Sequence, residues 1–150
     1  MKNMVEKWIS LTPYLQSVLR IVTAFMFMMS GSTKLFGFPA GHGNAAPLMS
    51  EAWIAGVLEF MGGALLLIGL YTRPVAFILS GEMAVAYFQV HAPQNILPNL
   101  NNGVPAVLYC FIWLYFSAAG GGTWSMDAKL KNQTSETAPH PAFRKYKKAI

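Results

Sequence analysis

Residues 53–91 read WIAGVLEFMGGALLLIGLYTRPVAFILSGEMAVAYFQVH. Two apolar runs, 53–71 and 74–91, meet at the very short turn Tyr71-Thr72-Arg73-Pro74. A helix needs roughly 20 residues to cross a hydrocarbon core of about 30 Å at about 1.5 Å per residue, and each run is close to that length. Helices joined so tightly must be antiparallel neighbours. Outward from this hairpin, residues 13–32 and 103–119 are apolar runs of the same kind. The pattern predicts an all-α fold: an integral membrane four-helix bundle over residues 1–127, then a basic flexible cytoplasmic tail over 128–150. Pro13, Pro74 and Pro105 fall near the expected helix starts, where a missing N–H costs little. Gly120-Gly121-Gly122 closes the fourth run. The longer connections, 35–50 and 92–102, are rich in turn formers. A signal peptide is a poor reading of the first run, because Arg20 interrupts it and no small-residue cleavage site follows.

Composition agrees. Apolar residues are 54% of the 150 and charged residues only 11%, where soluble domains carry about 25% charge. So few charges cannot build a solvated surface, and the chain is too hydrophobic for disorder. The one cysteine, Cys110, rules out an intrachain disulfide and any CxxC pair. Net charge is +5, but the basic residues flank the apolar runs instead of lining a folded face, so nucleic-acid binding is not expected. The N-terminal segment, Arg73 and the tail hold nearly all of the Lys and Arg, with Lys34 on the opposite side. The positive-inside rule then places both termini in the cytoplasm. Trp8, Tyr14, Trp53, Tyr71 and Trp124 sit where interfacial aromatics belong.

Arg20, Glu59 and Glu82 lie within the apolar runs. Charges at such depth cost roughly 2.5 to 3.5 kcal/mol on insertion scales and normally face the bundle with partners. Counting residues puts both carboxylates near the midplane and Arg20 about 7 Å lower, within reach of a guanidinium. Gly56, Glu59, Gly62 and Gly63 share one helical face, which favours close approach of a neighbour. Arg20, Thr23, Phe27, Gly31 and Lys34 form a stripe on the first helix. Glu82 and Gln89 share a face of the third, and Tyr109 on the fourth can reach the same layer. Arg20 balances one carboxylate; the other must find Lys34 or His91, or hold a proton. Proton-coupled chemistry would use such a group, whereas a purely structural network would lock helix register. Lys34 and His91 sit where the mouth of a pocket would be. His42 has no HxH or HExxH partner, His140 lies in the tail, and no metal site is expected.

Lys34-Leu35-Phe36-Gly37-Phe38-Pro39, GVLEFMGGALLLIG over 56–69, Tyr71-Thr72-Arg73-Pro74, Gly81-Glu82-Met83, Ala86-Tyr87-Phe88 and Asn102-Gly103 together resemble the DoxX family of small four-span bacterial membrane proteins. The resemblance covers about residues 15–127. It implies location in the bacterial inner membrane and association with quinone-linked oxidase systems. On the matching positions it marks Arg20, Glu59 and Glu82 as candidate catalytic residues, and Lys34, His91, Asn102 and Tyr109 as ligand-binding. No haem, copper or CxxC motif is present, so a redox role requires quinone, another lipid-soluble substrate or a redox partner protein. Two other readings stand beside it: a non-catalytic membrane scaffold that binds a partner, and a small proton-coupled transporter. A transporter would require a homo-oligomer, because four short helices enclose a narrow pore.

Overall fold

A computed structural model describes residues 2–39 and 44–136. Among them every regular element is helical: α1 (Lys2–Phe36), α2 (Glu51–Ile68), α3 (Thr72–Ala86), α4 (Val104–Ala119) and α5 (Met126–Glu136). The helices coincide with the four apolar runs, with two differences. Pro13 lies inside α1 rather than at its start. No glycine or proline precedes it, and the Met, Glu and Lys of the opening residues are good helix formers, so the helix begins well before the apolar run. Its 35 residues span about 52 Å. In addition, residues 128–136, expected to begin the flexible tail, belong to α5. His42, His140 and the tail bases from Arg144 onward lie outside the described residues.

The ends of the helices follow from local chemistry. Ser50 caps α2, its Oγ accepting from Trp53 N at 3.2 Å. Gly69 ends α2 in a left-handed conformation, φ 70°, which an L side chain adopts only with strain. The cap of α3 comes from a distance: Asp127 accepts from Tyr71 N and Thr72 N, both at 2.8 Å. One carboxylate near the positive ends of α3 and α5 thus satisfies two otherwise orphaned donors. At its far end α3 runs into a single π-helical turn, Tyr87–His91, closed by Ala92 N donating to Tyr87 O at 2.8 Å. Such turns are frequent at functional sites.

Packing runs in sequence order, α1 on α2, α2 on α3 and α3 on α4, and α4 meets α1 through aromatic rings. Phe27 lies 4.9 Å from Tyr109 and 5.4 Å from Trp113, centroid to centroid. Phe27, Leu66, Leu79, Trp113 and Phe116 are fully buried. Close contact of α1 with α2 depends on absent side chains. A Cβ on Gly31 would stand 2.5 Å from Phe60 N, and one on Gly63 3.0 Å from Met28 N. Phe25, Met61, Phe77 and Phe111 point outward and are exposed, and soluble monomers rarely expose large apolar patches. Two helices, over Asn3–Phe36 and Glu51–Ile68, are long and apolar enough to cross a membrane, and Val104–Ala119 is apolar but shorter.

Candidate functional site

Backbone direction decides which charged residues meet. Side chains on a helix lean toward its N-terminus. Lys34, near the end of α1, therefore leans back along the bundle, and Glu59 on antiparallel α2 leans up to meet it. Lys34 Nζ lies 2.5 Å from Glu59 Oε1. Glu59 is 2% exposed and the lysine side chain 34%. The other carboxylate oxygen, Glu59 Oε2, is buried without a partner, as are both oxygens of Glu82. Glu82 lies within electrostatic range of Glu59 and Lys34. Buried polar atoms are nearly always hydrogen-bonded, so three unpartnered carboxylate oxygens near one ammonium make this a candidate site.

Beside them is a cavity of about 150 Å³ to which α1, α2, α3 with its π turn, and α4 all contribute; Glu59 lines it, whereas Glu82 stands behind its wall. Lys34, Glu59, His91 and Tyr109 line it, with Phe27 and Ser30. His91 Nδ1 is 2.9 Å from Asn101 O. A carbonyl only accepts, so Nδ1 carries the hydrogen and neutral His91 keeps its lone pair on Nε2. The π turn places this ring, and Tyr87 stacks on it at 6.4 Å.

Arg20 does not join the carboxylates. It leans toward the N-terminus of α1, away from Glu59, and is fully buried. Its guanidinium donates to Gly121 O at 2.8 Å, Leu67 O at 2.7 Å and Trp124 O at 2.8 Å, and to Leu66 O. Leu66 and Leu67 stand at the end of α2, where carbonyls lack helical partners and the dipole favours a cation. Arg20 thus ties α1 to the end of α2 and to the segment before α5. The expectation that it would balance a glutamate overlooked side-chain direction.

Asn102 is also away from the cavity. It is exposed, with left-handed φ 59°, a conformation asparagine tolerates. Its neighbour Asn101 is the buried one, 1% exposed, with Nδ2 donating to Asn95 O at 2.5 Å and Oδ1 accepting from Gly103 N at 2.7 Å. Sequence reasoning also missed Ser30, which lies one turn before Lys34, and Asp127. The i, i+4 spacing could have found Ser30, whereas Asn101 and Asp127 act through loop geometry that no periodicity reports.

Comparison with known proteins identifies the family. The DoxX family model matches residues 15–92. An uncharacterized protein of Haemophilus influenzae is 42% identical over 132 residues, covering 85% of this chain and 96% of that relative. No solved structure gives a significant match. With the family model matched across its first three helices and this relative aligned over nearly its whole length, the chain belongs to the DoxX family of membrane proteins.

Proposed function

We propose that this protein is a quinone-linked redox subunit of the bacterial inner membrane, with α1–α4 spanning the bilayer as a bundle and both termini cytoplasmic. The basic residues of the N-terminal segment, Arg73 and the sequence beyond α5 support that orientation. In this reading the cavity between Lys34, Glu59, His91 and Tyr109 takes the quinone ring. Its volume of about 150 Å³ matches engineered cavities that hold one benzene-sized ring. Lys34 and Tyr109 supply donors for ring oxygens. Glu59 Oε2, Glu82 and His91 Nε2 supply proton acceptors. Lys34 compensates Glu59, and a second carboxylate, Glu82, lies near without a partner of its own. When bound, quinone supplies two-electron, two-proton redox chemistry, with electrons exchanged through a redox partner protein.

The observation that carries the reading is that Glu59, which lines the cavity beside Lys34, has a buried carboxylate oxygen without a partner. It is tested by titrating nanodisc-reconstituted protein with a short-tailed benzoquinone and following tryptophan fluorescence. Saturable quenching, weakened roughly tenfold or more by Glu59→Gln, supports it. The scaffold reading draws on the position of the Lys34–Glu59 pair beside the Gly31 crossing, where it fixes α1 on α2. If that were its whole role, Glu59→Gln would change stability and no quinone would bind to either form.

A further inference from the structure

The ring cavity does not stand alone. A second, open cavity of about 480 Å³ is lined by Met29, Ser30, Thr33, Lys34 and Pro39. Ser30 and Lys34 belong to both. The inner chamber carries the charged and aromatic groups; the outer one is walled by Met29 and Pro39 with two hydroxyls. One face of α1 therefore leads from the buried Glu59 to the protein surface, with the lysine stem at the boundary.

The inner chamber lies between α1 and α4, and α1 with Pro39 walls the outer one. Phe27, Tyr109 and Trp113 close the α1–α4 seam at mid-depth. One turn further along α1, Ser30 is exposed and Gly31 faces α2, so no bulky α1 side chain fills the seam at that level. A ring held by the inner chamber fills it, and any tail must leave past Ser30 and Lys34.

Resting on the quinone reading, we propose that the two cavities form one site for a membrane amphiphile. The head occupies the inner chamber, and the apolar tail lies in the outer groove against Met29, Thr33 and Pro39. The ligand enters sideways from the lipid at the α1–α4 seam, with the Lys34 side chain moving as it passes. The groove makes the protein selective for tailed ligands that can leave by this exit.

The test places bulk in the groove without touching the inner chamber, using Met29→Trp and Thr33→Trp. Binding of decyl-benzoquinone and of tail-less methyl-benzoquinone is measured in nanodiscs for each form. The expected result is a loss of roughly tenfold or more in affinity for the decyl compound, with the methyl compound bound as in wild type. A photoreactive group placed at residue 29 or 33 should also crosslink to a bound tailed ligand. Equal binding of the decyl compound by wild type and both folded variants, without crosslinking, overturns the groove assignment while leaving the quinone reading in place. No binding of either compound to the wild type overturns both.

Discussion

Lys34 on α1 and Glu59 on α2 are separated by 25 positions in sequence, yet the ammonium stands 2.5 Å from one carboxylate oxygen. The pair lies on the wall of a cavity and leaves the second oxygen of Glu59 free. It thus both joins two helices and forms one side of the cavity, and substitutions separate its structural role from the proposed binding role.

Lys34→Met leaves Glu59 buried with an uncompensated charge. Breaking one side of a buried pair costs about 3 to 5 kcal/mol, whereas replacing both sides with apolar groups of similar size is near neutral. Lys34→Met is therefore expected to lower the Tm sharply in detergent, and the double variant Lys34→Met with Glu59→Leu to recover most of it. A double variant as unstable as the single one would show that the two charges are not coupled.

Arg20 is expected to behave as a structural residue. Its hydrogen bonds from a charged donor to four carbonyls predict that Arg20→Ala loses at least about 3 kcal/mol of stability, since such bonds contribute about 1.5 to 3 kcal/mol each. Arg20→Lys should recover part of this loss. Quinone titration of the folded Arg20→Lys protein should match wild type, because the guanidinium does not touch the cavity.

Asp127 holds the start of α3 from the first turn of α5. Asp127→Ala removes acceptors for two backbone donors, and caps of this kind contribute about 0.5 to 2 kcal/mol. Hydrogen exchange should show selective loss of protection at Tyr71 and Thr72, with α1 unchanged. Uniform loss across all helices would point to a global role instead.

Gly31 sets the distance between α1 and α2. A Cβ there would stand 2.8 Å from Gly56 O as well as against Phe60, and overpacking of this kind costs about 1 to 3 kcal/mol. Gly31→Leu should push the helices apart and lengthen the Lys34–Glu59 contact. Spin labels on the two helices would report the separation, and an unchanged distance distribution would contradict the account.

The sequence carried the helices and most of the cavity, and the reasons differ. Hydropathy runs show where helices lie, because burial in lipid demands them. Helical spacing put Lys34 on the inward stripe of α1 and Glu59 on the glycine face of α2, because three and four residue intervals map onto one face. Arg20 was placed wrongly because depth along the axis was counted from Cα while the side chain leans toward the N-terminus of its own helix. Asn101 was missed for Asn102 because a single left-handed residue at 102 reverses the chain, and only the fold shows which of two adjacent asparagines then turns inward.

The central claim is that Glu59, which lines the cavity, exchanges protons with a quinone bound there. Redox-triggered difference infrared spectroscopy on reconstituted protein with quinone tests it most directly. The account predicts a carboxylic-acid C=O band that changes on reduction of the quinone, shifts in D2O and disappears in Glu59→Gln. A spectrum in which bound quinone is reduced with no carboxyl band changing, or with the same band surviving in Glu59→Gln, would contradict it.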